Sequence, residues 1–391
     1  MPDNINNSVG QGCPTYELKR TKMADEYKNI HISIFKQLIR DKFALIALVV
    51  LFVIYFSLLF ADFIAPYSKD FSDRTQSYAP PSKIFTINEH GKLSLPYTYN
   101  YKREYDPEAM QVDYKLDRSQ KYYLKLFPRG EKYKFLRLIP CSRHLLGVTP
   151  DINKAPSGRL YFLGTDINGR DVFSRILFGG RISMTIGFLA LFVLFPIGLL
   201  YGGISGYFGG KVDMLMMRFA EAIMSIPSFY LLIILAAILP SNMTSIQRFI
   251  LIVIILALIG WAGFARVVRG MVLSIKTQEF VQSAQSIGAS RMRIIIKHIL
   301  PQTTSYVIVA MTLSVPSYIL AESGLSFLGL GIQQPDASWG NMLKEAQEYI
   351  NILYRPWLLT PGFLIFVAVL SFNLIGDTIR DVLDPKSKVR E

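Results

Sequence analysis

Cysteine is nearly absent from this chain, with two in 391 residues, and histidine is hardly commoner, with four. Cys13 and Cys141 fall on opposite sides of the first long apolar run, so they cannot bridge, and neither a disulfide framework nor a Cys/His metal cluster is available. His31, His90, His144 and His298 are dispersed and read as solvated or interfacial side chains, so no metal site is expected. The GxxxxGK[ST] phosphate loop, the HExxH pair and any Ser/His/Asp set at workable spacing are all missing. No catalytic residue and no cofactor are therefore expected in this chain. Acidic residues are in deficit, 29 against 42 Lys and Arg, for a net charge of +13. The basic residues are spread along the chain and not gathered on one face, so a nucleic-acid partner is not expected either.

Hydrophobic residues make up 51% of the chain, and several runs exceed the roughly 18 apolar residues that mark a bilayer-crossing helix. The runs predict six spans near Phe43–Ala61, Met184–Ile204, Met214–Leu239, Arg248–Gly270, Thr303–Ile332 and Leu358–Gly376, the third interrupted by Pro227 and the fifth by Pro316. Charge sets the orientation. Basic residues crowd the N-terminal tail, the Arg266–Lys297 loop and the C-terminal tail, whereas the short loops on the other side carry only Arg248, Lys344 and Arg355. Both termini are thus expected in the cytoplasm. The polar stretch between the first two spans is also basic, but segments longer than about 60 residues translocate largely regardless of charge. The first span lies behind a charged tail with no small-x-small cleavage site after it, and reads as a retained signal anchor.

The expected organisation is a cytoplasmic tail over 1–42, a first transmembrane helix over 43–61 and an extracytoplasmic insertion over 62–181. A transmembrane core over 182–377 with a cytoplasmic loop at 271–301 follows, then a tail over 378–391. Residues 31–42 have an apolar side that suits a short interfacial helix. In the insertion, Ile84–Ile87, Lys121–Phe127 and Lys134–Ile139 alternate apolar and polar residues, with turn signals at Asn88–Gly91 and Pro128–Gly130, so a small β-rich domain is expected. Gly198, Gly202 and Gly206 share one face of the second span and permit close helix packing.

The most telling stretch is Glu279–Pro301, a polar, basic helix–turn–helix pattern between two spans. Gly288 breaks it and Pro301 is expected to stop its second helix and start the next span. Such an element suits a rigid handle that something outside the membrane can push. It resembles the loop of type I ABC importer permeases that reads Glu-Ala-Ala, three residues, then Gly, with Leu-Pro at its end. Here Gln282-Ser283-Ala284 occupies the first three places, Gly288 the glycine and Leu300-Pro301 the end, so Gln282 lacks the family's carboxylate. Glu279, Ala289 and Arg291 complete the coupling loop that the resemblance implies.

Further segments narrow the likeness. Leu163–Arg175, Ser205–Asp213, Gly324–Gly331, Ser338–Gly340 and Asp377–Pro385 resemble the C-type permease of dipeptide, oligopeptide and nickel importers, as do Ile64–Tyr67 and Pro80–Ser82. The insertion between Lys83 and Leu160 is longer than in the usual member. The resemblance implies an all-α, six-helix membrane fold with a β-rich extracytoplasmic insertion, in a bacterial inner membrane. It also implies a B-type permease partner, two cytoplasmic subunits that bind ATP and Mg, and an extracytoplasmic solute-binding protein. Ser225, Pro227, Ser314, Pro316 and Glu322 are candidates for the translocation pathway, and Gly164, Thr165, Asp166, Gly169, Arg170 and Asp171 form an extracytoplasmic motif. The rival expectation is an ion-coupled transporter or channel, which should show inverted repeats. A sensor or adhesion module anchored by the spans is a third.

Overall fold

A computed structural model describes residues 35–87, 92–106, 111–135, 139–148, 158–240 and 242–383. Residues 35–40 are helical, and the chain bends at Asp41, whose carboxylate accepts the Phe43 N–H at 2.9 Å and starts helix α1, Lys42–Leu59. The first four residues of the expected interfacial helix lie outside the described residues.

Helix α2, Val172–Phe208, begins well before the expected Met184 because Asp171 caps it, accepting the Ser174 N–H at 2.8 Å. Helices α3, Gly210–Met224, and α4, Ser228–Ala237, meet at a bend of 76° at Pro227. They are followed by α5, Ser245–Ile275, then α6, Glu279–Ser286. A helical turn at Arg291–Ile294 leads to α7, Thr304–Phe327, then to a short α8, Trp339–Leu343, and to α9, Thr360–Leu383. Among the described residues five helical stretches are long and apolar enough to cross a membrane, or six if the bent pair is one span.

Two proline expectations give way. Pro316 lies buried inside an uninterrupted α7, as membrane helices allow where neighbouring groups absorb the lost hydrogen bond. Pro301 does not separate two helices. The chain widens into a π turn at Ile295–Ile299, where the Leu300 N–H reaches the Ile295 carbonyl, and then tightens into a 3-10 turn at Leu300–Thr303. The widened turn makes room for the proline ring, so one rod runs from Arg291 to Phe327. The fifth span also ends early, because Gly329 turns the chain with φ of 79°.

Side chains from α1, α2, α5, α7 and α9 share one apolar core around Leu191, Phe195, Trp261, Val315, Ile319 and Phe372. Within it the glycine stripe of α2 seats the backbone of α5. A Cβ on Gly202 would collide with the Ala265 carbonyl and stand 2.8 Å from the Val268 Cβ.

The insertion is β-rich. A four-stranded antiparallel sheet has the order β1-β2-β3-β6, with β1 Phe85–Ile87, β2 Leu93–Asp106, β3 Gln111–Leu126 and β6 Leu146–Val148. The segment expected as one strand near Lys134–Ile139 belongs instead to a hairpin of β4, Arg129–Phe135, and β5, Ile139–Arg143. The turn signal at Asn88–Gly91 lies outside the described residues. The insertion leaves and rejoins the chain at one place. The Ser82 N–H donates to the Tyr161 carbonyl at 2.8 Å, and the Tyr161 N–H donates to Ser82 Oγ at 2.9 Å. A second attachment lies at the end of α1, where the Leu145 N–H donates to the Phe63 carbonyl at 2.7 Å and His144 Nδ1 is 2.7 Å from the Ala65 carbonyl oxygen.

Candidate functional site: the handle loop and its supports

Helix α2 runs from the insertion at one end of the bundle to the handle at the other, where its last turn meets the Glu279–Pro301 loop. In that loop α6 ends in a glycine cap. The Gly288 N–H donates to the Gln285 carbonyl at 3.0 Å and the Ala289 N–H to the Ala284 carbonyl at 3.1 Å, with Gly288 at φ of 76°. Ala284 and Ala289 also meet in the apolar cluster beneath, so the cap is closed by packing as well as by hydrogen bonds. Nothing lies within 4 Å of where a Gly288 Cβ would stand, so the position asks for backbone freedom and not for space.

The loop is two-faced. Val281, Ala284, Ile294 and Ile299 are buried against Val268, Val272 and Ile275 of α5. Glu279, Gln282, Ser283, Arg291, Arg293 and Lys297 face outward. Gln282 spans the start of α6 by donating from Nε2 to the Thr277 carbonyl at 3.2 Å, and Ser283 Oγ donates to the Glu279 carbonyl at 2.9 Å. At the tip stands Ile287, 84% exposed, a residue outside the coupling loop that the resemblance implies. Its signal was an apolar residue directly before the glycine cap, a place that a buried face does not require.

Three contacts tie the loop and its root to the bundle. Gln285 Nε2 donates to Tyr207 Oη at 3.2 Å, Arg291 lies 5.5 Å from the Phe208 ring centroid, and Lys276 Nζ donates to the Gly206 carbonyl at 2.9 Å. Just above, Arg269 of α5 holds Asp213 of α3 with both arms, its Nε at 2.7 Å, while Ser205 of α2 donates to the same carboxylate. One carboxylate thus joins three helices at the root of the handle.

The pathway candidates are spread out. Ser225 donates to the Glu221 carbonyl at 2.8 Å and Pro227 begins α4 at the bend, whereas Ser314 donates back to the Ala310 carbonyl at 2.6 Å inside α7. Glu322 is fully buried, accepting from Ser183 Oγ of α2 at 2.9 Å and Ser326 Oγ at 2.7 Å. Those serines in turn accept the Trp339 N–H at 3.1 Å and the Ile332 N–H at 3.1 Å. Glu322 therefore pins the chain that follows α7 onto α2. None of the five lines the cavity of ≈ 840 Å³ among the described residues, which opens between Tyr55, Arg181 and Phe249.

At the insertion end the six-residue motif is a buried knot. Gly164 and Gly169 both have φ of 69°, and the Asp73 carbonyl occupies the space of a Gly169 side chain. Thr165 Oγ1 accepts the Ala79 N–H at 2.7 Å. Asp166 pairs with Arg170 at 2.6 Å and Arg175 at 3.5 Å, and Arg170 Nη1 donates to Gln334. Burial pushes the Asp171 carboxyl up to about 7. Burial first, and then the neighbouring Asp166 carboxylate, raises Glu345 to about 7 as well.

Comparison with known proteins agrees with this geometry. Residues 172–389, more than half of the chain, match the family described as binding-protein-dependent transport system inner membrane component. Residues 33–81 match the N-terminal TM domain of oligopeptide transport permease C. The chain is 45% identical over 229 residues to the oligopeptide transport system permease protein OppC of Haemophilus influenzae, covering 58% of this chain and 71% of that protein. It is 44% identical over 236 residues to the dipeptide transport system permease protein DppC of Bacillus subtilis, covering 60% and 71%. The glutathione transport system permease protein GsiD of Escherichia coli O157:H7 is 41% identical over 239 residues, covering 61% and 76%. A bundle with a packed handle at one end, and a family match that spans the handle, make this chain a member of the binding-protein-dependent transport system inner membrane components, the permease subunits of ABC importers.

Proposed function

We propose that the chain forms half of the translocation pathway of an ATP-driven importer of peptides, the solute class named for its relatives. The handle loop receives the stroke of a separate cytoplasmic ATPase dimer that binds ATP and Mg. The handle end, with both chain termini, lies in the cytoplasm, and the insertion lies outside. The observation that carries this reading is the two-faced loop, packed on α5 below and presenting Ile287 with Arg291, Arg293 and Lys297 above. An apolar tip ringed by cations suits a cleft with an apolar floor and an acidic rim.

A second permease, of the B type, completes the pathway over α3 and α4. Leu215, Phe219, Tyr230 and Ile234 are exposed there beside the Arg218–Glu221 pair at 3.0 Å. Ionisable groups at membrane depth face a partner or an aqueous cavity, not lipid. A solute-binding protein delivers the peptide on the insertion side. With the family shown, the ion-coupled alternative falls away.

The test is peptide-stimulated ATP hydrolysis and uptake of labelled peptide by the complex in proteoliposomes, with Ile287→Glu as the probe. That change should leave the permease pair assembled and abolish both activities by releasing the ATPase. Retained uptake with Ile287→Glu would remove the docking role, and normal ATPase stimulation by a solute other than peptide would remove the substrate class.

A further inference from the structure

Phenylalanine rings form a column up the exposed side of α1 and onward into the insertion. Phe52 and Phe56 are 5.9 Å apart, Phe56 and Phe60 4.6 Å, and Phe60 and Phe135 of β4 5.6 Å, centroid to centroid. Phe63 then meets both Phe135 at 6.4 Å and Phe127 at 5.9 Å. Phe127 precedes the β4–β5 hairpin and Phe135 ends its first strand, so both ends of that strand reach the end of α1. The hydrogen bonds from Leu145 to Phe63 and between His144 and Ala65 fix it there.

The depth follows from α1. Its 18 residues span roughly 27 Å at ~1.5 Å per residue, close to the ~30 Å hydrocarbon thickness of a bilayer. Phe60, its C-cap, therefore sits at the boundary between acyl chains and headgroups, and Phe135 touches it. Phe52 and Phe56 are 65% and 50% exposed, an apolar face at membrane depth that suits lipid. Ile139, paired across the hairpin with Phe135, is 61% exposed and carries the same face outward. Exposed Arg129, Lys132 and Arg143 stand on the same hairpin against a single exposed acid, Glu131. Aromatic side chains at the interface with cations beside them are what an interfacial membrane element presents.

We infer that the β4–β5 hairpin is a lipid-binding surface, with Phe135 and Ile139 seated in the acyl boundary of the leaflet at the insertion end. Arg129, Lys132 and Arg143 meet anionic headgroup phosphates. The observations that commit the surface to lipid are its continuity with the exposed face of α1 and its excess of cations.

The test places a nitroxide at Ile139→Cys in the full chain, with Cys13 and Cys141 replaced by Ser, in nanodiscs containing phosphatidylglycerol. Collisions with oxygen should exceed those with a nickel chelate at this site, and the order should reverse at Leu93→Cys, on the sheet, where the native residue is 89% exposed. Chelate access at Ile139 equal to that at Leu93 would place the hairpin in water. Access to neither reagent would mean that protein covers it. Either result overturns the proposal. Hydrogen exchange of the unmodified chain gives a second, label-free measurement. Residues 129–135 and 139–143 should exchange several-fold more slowly with phosphatidylglycerol than in phosphatidylcholine alone, and equal rates would overturn the headgroup contact.

Discussion

Asp213 and Arg269 form a two-armed ion pair, Oδ1 to Nε at 2.7 Å, between helices that are not neighbours in sequence. With Ser205 it joins the handle ends of α2, α3 and α5. On the proposed function, a push on the handle would reach α5 by packing, and this pair would pass it to α3 and so to the bent α3–α4 arm. Losing a charge-assisted bond of this kind costs about 1–2 kcal/mol, which an assembled bundle survives. Asp213→Asn should therefore leave assembly intact but lower the peptide transported per ATP hydrolysed several-fold. The exchange Asp213→Arg with Arg269→Asp should recover part of it. An unchanged transport-to-hydrolysis ratio in Asp213→Asn would deny the pair any role in transmission.

Gly288 tests the handle itself. Its surroundings are empty, so the cost of a side chain comes only from holding φ at 76°, about 1–2 kcal/mol. Asn, which tolerates this region better, should retain more uptake than Ala, and Val should retain least. Equal uptake in all three variants would show that the cap is not used.

The knot at the insertion end carries a pH dependence. The Asp171 carboxyl has an ordinary value of 3.8 and titrates near 7 when folded. Between these values the folded chain holds more protons than the unfolded one, so stability falls as pH rises. The contribution is complete below 3.8 and gone above about 7. Scanning calorimetry of detergent-solubilised protein across this window should show a melting temperature that declines more steeply in the native chain than in Asp171→Asn. Parallel slopes would remove Asp171 as the titrating group.

Replacing residues 83–160 by a short Gly-Ser turn asks what the insertion does. Ser82 and Tyr161 are already joined, so the permease should still assemble. We expect loss of ATPase stimulation by the loaded solute-binding protein, measured in proteoliposomes. Normal stimulation would leave the insertion as a spacer and place the docking surface elsewhere.

Local signals were legible in the sequence and long-range ones were not. The glycine cap at Gly288 and the bend at Pro227 follow from backbone sterics, which residue type alone sets. Pro316 carries the same local signal yet does not interrupt its helix, because the surrounding bundle decides whether the lost hydrogen bond matters. Strand β2 is not legible in the sequence although Tyr97, Tyr99 and Tyr101 alternate and are buried, since Pro96 and the charged run after Asn100 interrupt the pattern. The Asp213–Arg269 pair closes over 56 residues, and no pattern in either segment points to the other. Glu322 stands out in the sequence as a pathway candidate, but only the fold reveals the serines that surround it.

The clasp between Ser82 and Tyr161 has a genetic meaning. The matched family segments stop at residue 81 and resume at 172, and the insertion departs and returns between them at one point in space. A stretch of DNA added or lost there changes the length of the gene without moving the transmembrane helices on either side. Lineages can therefore lengthen, trim or replace this module while the importing machinery beneath it is inherited unaltered, and an engineer can use the same seam to graft a foreign domain.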